Sequence, residues 1–73
     1  MNVISIHLDE TLDDRRLREL LEDLAHMPHV ARVEPSPALR QELMVEYEER
    51  HNVPMRVLNR LEQRGLHPDI QYC

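Results

Sequence analysis

What most constrains this chain is the order in which its hydrophobic periodicity changes. A period of two gives way to a helical period and returns to two, and the same succession follows again after the break at Pro35-Ser36-Pro37. Alternation sends successive side chains to opposite faces of a strand, whereas helical spacing gathers them along one stripe. Residues 2–8 alternate, with Ile4, Ile6 and Leu8 on one face and Val3, Ser5 and His7 on the other, which predicts a half-buried strand. Thr11 and Asp14 resemble a capping box with Asp in place of Glu, and Asp13 and Asp14 suit the positive end of a helix. Leu17, Leu20, Leu21, Leu24 and Met27 then form a single apolar stripe, which Pro28 ends.

Val30 to Glu34 predicts a second, short strand. The Pro35-Ser36-Pro37 stretch cannot continue a hydrogen-bonded ladder, so this strand is expected at a sheet edge. From Leu43 to Glu48 the alternation returns, with Leu43, Val45 and Tyr47 inward. Glu, Leu and Met also favour helix here, but the alternation decides for a third strand. Asn52 is the expected cap of a second helix, with Pro54 in its first turn, Val57, Leu58 and Leu61 as its stripe and Gly65 as its left-handed stop. Leu66, Pro68, Ile70 and Tyr72 alternate with His67, Asp69 and Gln71, predicting a fourth strand that runs to Tyr72. The order is strand, helix, strand, strand, helix, strand. Right-handed crossovers then give an α+β, ferredoxin-like βαββαβ sandwich: a four-stranded antiparallel sheet in the order four, one, three, two, with two helices on one face. A single domain over residues 1–73 is expected.

The core of such a domain has to be assembled from Leu, Val, Ile and Met, because the chain has no Phe or Trp and two Tyr. A chain of this size buries only about 60% of its unfolded surface. Stability is therefore expected to be modest and to gain from a homodimer, another protein partner or a ligand. The net charge is −5, and all nine basic residues are Arg interleaved with acids, which argues against nucleic acid. No apolar run approaches the roughly 20 residues that span a bilayer, and no basic stretch precedes the first strand, so no membrane insertion and a cytoplasmic location are expected. One cysteine, Cys73, cannot form an internal disulfide. Ser5 and Ser36 have no evident His and acid partners, and a single glycine provides no phosphate cradle, so the chain is not expected to be an enzyme.

The layout resembles the heavy-metal-associated domain family, which includes copper chaperones and the amino-terminal modules of metal-transporting ATPases. His29-Val30-Ala31-Arg32-Val33 is similar to that family's Gly-Val-x-x-Val opening of the second strand, and Met44-Val45-Glu46-Tyr47-Glu48 to its third strand. Val53 to Leu66 is similar to its Pro-initiated second helix, ending in Gly plus an apolar residue. The family's M-x-C-x-x-C metal loop has no counterpart, because Leu8-Asp9-Glu10-Thr11-Leu12-Asp13 occupies that place. Carboxylates at Glu10 and Asp13 offer hard oxygens where two thiolates would hold soft Cu(I), so transfer of a soft metal by the family's route is not expected.

The proposed topology brings His7 and His67 towards one end of neighbouring strands, with Asp9, Glu10 and Asp69 nearby. Two imidazoles and a carboxylate suit zinc, nickel or copper(II). The competing expectation is two solvated histidines in an interaction module that works through a sheet edge or the open face, without metal. His26 and His29 flank Met27-Pro28 where a cation relieves the negative end of a helix. His51 is expected in a turn, and the scattered Met1, Met27, Met44 and Met55 fit packing better than a thioether site.

Overall fold

A computed structural model of the chain describes residues 2–37, 41–50 and 52–71. Its elements run β1 (Asn2–His7), α1 (Asp14–Ala25), β2 (Val30–Pro35), β3 (Glu42–Tyr47), α2 (Val53–Gln63) and β4 (Asp69–Gln71). The four strands form one antiparallel sheet in the order β2-β3-β1-β4, as the two successive strand-helix-strand units require. The fold is the ferredoxin-like α+β sandwich expected from the periodicity. Residues 42–47, for which a helix competed, pair with both β1 and β2.

Alternation decides which face is covered. Ile4, Ile6, Leu43, Val45 and Tyr47 point into the core from the two central strands, and Leu20, Leu24, Val53, Val57 and Leu61 meet them from the helices. Leu8, Leu12 and Leu66 close one end of this core, and Leu17, Leu21, Met27, Val30, Val33 and Ile70 pack around it. Each fully buried Leu, Ile or Val contributes about 1.5–3 kcal/mol relative to leaving it in water.

The elements differ from expectation in several places. β2 does not stop at Glu34: Pro35 stands opposite Leu43 and Ser36 N–H donates to the Glu42 carbonyl at 2.8 Å, because the proline's missing amide falls on the outer side of the strand. β3 covers Glu42–Tyr47 rather than Leu43–Glu48. The cap of α1 is Asp13 rather than Thr11. Its carboxylate accepts the Arg16 amide at 2.7 Å, because Leu12 must first turn into the core. Asn52 does precede α2, but in a left-handed conformation (φ 54) with no side-chain capping bond. Leu58, expected in the buried stripe, is only partly buried, and Val53 takes its place. β4 begins at Asp69, not Leu66, since Pro68 has no amide to donate and Leu66 is committed to the end of α2. Tyr72, expected to finish that strand, lies outside the described residues together with His51, Met1 and Cys73.

The end of α2 is a full Schellman motif. Leu66 N–H donates to the Leu61 carbonyl at 3.1 Å, Gly65 N–H to Glu62 at 2.9 Å, and Gly65 has φ 84. The two helices are clamped to each other by Asp23. Its carboxylate accepts Arg60 Nε and Nη2 at 2.9 and 2.6 Å and Arg64 Nε at 2.9 Å. The Arg60 hydrogen bonds are the main reason its pKa falls to about 2; partial burial opposes the fall and Arg64 adds to it.

Candidate functional site

The loop between β1 and α1, residues 8–13, sits beside the start of β4, and three backbone and side-chain contacts fix it. Leu8 N–H extends the β1 ladder by donating to the Gln41 carbonyl at 2.7 Å. The Asp9 carboxylate accepts the His67 amide at 3.1 Å, tying the loop to the approach of β4. Glu10 pairs with Arg16 Nη2 at 3.2 Å, one turn into α1. Both carboxylates expected as ligands are thus held by protein donors.

The two histidines arrive by different routes. His7 is the last residue of β1 and stands on the open face of the sheet, opposite Glu42 on one side and Asp69 on the other. His67 lies two residues before Asp69 and is exposed, so it falls at the same end of the sheet. Glu42 was not singled out by sequence reasoning. Its outward direction was legible from alternation, but its place beside His7 depends on a register that crosses 35 residues of chain. Among the described residues no group of three or more His, Cys, Asp or Glu side chains is arranged to hold a metal ion. The loop also carries no sulfur, so its donor set does not fit Cu(I), which prefers thiolate and thioether ligands.

His26 and His29 act at the end of α1. His26 Nδ1 lies 2.6 Å from the Glu22 carbonyl oxygen, where it serves as donor to one of the last-turn carbonyls. His29 occupies the place of the glycine in the Gly-Val-x-x-Val pattern and has φ 66, the left-handed backbone that glycine adopts most readily. Its carbonyl accepts Glu48 N–H at 2.9 Å, and its Nδ1 stands 3.7 Å from the Glu48 carboxylate. The opposite end of the molecule, where Tyr47 pairs with Asn2, has a shallow hollow of about 340 Å³ lined by Tyr47, Arg50, Asn52, Val53 and the exposed Met55. Among the described residues no helix is long and apolar enough to cross a membrane.

No family model matches the sequence, and no curated protein does. The backbone, in contrast, superposes on solved structures over nearly its full length. The yeast copper transporter domain CCC2A, solved in apo and Cu(I)-loaded states, matches with a TM-score of 0.82 at 13% identity, covering 97% of this chain and 96% of that one. A structure described under crosstalk between Cu(I) and Zn(II) homeostasis matches with a TM-score of 0.80 at 17% identity, covering 97% and 100%. The N-terminal domain of PacS from Synechocystis PCC6803 matches with a TM-score of 0.78 at 17% identity, covering 97% and 98%. At these identities the likeness is one of fold: the chain is a ferredoxin-like domain of the layout that these proteins share.

Proposed function

We propose that this chain serves a metal-related role of the heavy-metal-associated type and takes its cargo through ligands other than cysteine. The observation that carries this reading is the whole-chain likeness to a domain solved with and without Cu(I), combined with a loop in which oxygen donors stand where thiolates would be. His7 and His67 supply imidazole nitrogens, and Asp9 or Glu10 supplies a carboxylate, for zinc, nickel or copper(II). Binding requires local rearrangement. Asp9 exchanges its bond from the His67 amide for the cation, and Glu10 exchanges Arg16. The chain then acts in the cytoplasm as a carrier or a metal-responsive module rather than as a catalyst, alone or as a homodimer.

Calorimetric titration of Zn²⁺, Ni²⁺ and Cu²⁺ into the protein, and into His7→Ala and His67→Ala, tests this. Saturable binding that either substitution weakens about tenfold or more, a loss of about 1.4 kcal/mol, is expected. An absence of saturable binding, or affinities that both variants leave unchanged, refutes it.

A further inference from the structure

The face of the sheet turned away from the helices carries an apolar centre within an acidic frame. Val3 and Met44, 43% and 39% exposed, are two of the three large apolar side chains exposed among the described residues. Val3 stands opposite Glu46 and Met44 opposite Ser5, so Val3 and Met44 are diagonal neighbours, about 7–8 Å apart and within reach of one contacting side chain. Four carboxylates stand around them: Glu46 beside Val3, Glu34 opposite Met44, and Glu42 and Asp69 on either side of His7. The cation on this face among the described residues is Arg32, which pairs with Glu34 and stands directly opposite Glu46 in the register, so four carboxylates face one arginine. No ion pair among the described residues neutralises Glu42, Glu46 or Asp69.

We propose that this open face docks a protein partner presenting Lys or Arg side chains around an apolar centre. Charge complementarity selects that occupant. The apolar pair supplies burial, while the surrounding carboxylates orient an incoming basic surface and reject an acidic one. The same charges disfavour a second copy laid face to face, because two such faces would bring eight carboxylates together with two arginines. The proposal does not rest on the metal reading: it needs neither His67 nor Asp9 nor Glu10, and its apolar centre, Met44 and Val3, lies one and two rows of side chains from His7.

The test is a nitrogen-15 NMR titration of the full chain with a synthetic amphipathic peptide of Lys and Leu, compared with the same peptide carrying Glu in place of Lys. Saturating amide shifts concentrated on Val3, Ser5, Met44 and Glu46 are expected with the Lys peptide only. Affinity should fall about tenfold in Glu46→Lys, and by a smaller factor in Met44→Ser, where charge is constant. Both substitutions are at surface positions, and unchanged amide dispersion shows that the variants remain folded. Shifts that map to the helices or to the outer edges of β2 and β4, equal binding of the Glu peptide, or undiminished binding by Glu46→Lys would each overturn the proposal. So would a concentration-dependent dimer perturbing the same residues without peptide.

Discussion

In the first βαβ half, α1 starts at Asp13, whose carboxylate accepts a backbone amide, and the left-handed residue of the turn into β2 is His29 at φ 66, three residues past the His26 cap. In the second half, α2 starts at Asn52 with no side-chain capping bond, and the chain leaves it through Gly65 at φ 84. Each half therefore resolves one end of its helix cleanly and the other imperfectly, and the assignment is reversed between them. Where the side-chain cap is missing, Pro54 in the first turn compensates, since it brings one fewer unsatisfied amide and a backbone angle already set for helix. Where glycine is missing, His29 holds left-handed backbone with its carbonyl bonded to Glu48. Burial, by contrast, is duplicated: Leu20 and Leu24 in one helix, Val53, Val57 and Leu61 in the other. Pseudo-symmetry in such a fold is a property of the core, while the ends are settled residue by residue.

Four measurements sharpen or break this contrast. Leu24→Ala and Leu61→Ala remove side chains of equal, complete burial from corresponding helices. Urea unfolding should show a similar loss for both, about 2–5 kcal/mol each; a loss confined to one would mean that the halves are not equivalent in the core. Asp23→Asn breaks the clamp between them and should cost about 1–2 kcal/mol at neutral pH. The sign follows from a carboxyl whose pKa falls from 3.8 to about 2 on folding. Its contribution is complete above about pH 4 and fades as pH drops towards 2, so stability curves of the variant and the parent should converge in acid. Asp13→Ala should cost about 1 kcal/mol, whereas Asn52→Gly, which removes no capping bond and relaxes a left-handed residue, should change stability by only a few tenths. The smallest pair is the exchange at the two left-handed positions that follow the helices. Gly65→Ala should destabilise by about 1 kcal/mol although open space surrounds the position, because its φ is positive. His29→Gly should be neutral or stabilising by about 0.5 kcal/mol in the same assay.

The strands and helices were legible because each follows from a local period. Ile4 and Ile6, or Leu20 and Leu24, mark a buried face without reference to any other part of the chain. Helix starts were less legible. Thr11, Asp13 and Asp14 are all competent near a cap, and the choice fell to Asp13 because Leu12 had to reach the core first, which is a tertiary demand. The alternation places the start of β4 too early because Leu66 matches the period while its amide and side chain serve the end of α2. At the candidate site, His7 and its outward direction came from sequence, but its neighbours Glu42 and Asp69 came from strand register, which no local pattern encodes. The bonds that occupy Asp9 and Glu10 were likewise invisible, since His67 lies 58 residues from Asp9 and an exposed Arg16 has many acids within reach.

Pro35 and the irregularity between Val30 and Arg32 both fall on β2, whose outer side is a margin of the sheet. A proline offers no amide to an incoming strand, and a bulge bends the ladder away from one. The opposite margin, β4, has neither device among the described residues, where it offers a rim of three residues. Growth of a ribbon by strand addition needs two receptive rims on every subunit. With one of them spoiled, a contact rim to rim through β4 would leave each pair with only the blunted β2 margins, which disfavours open-ended growth from the folded state.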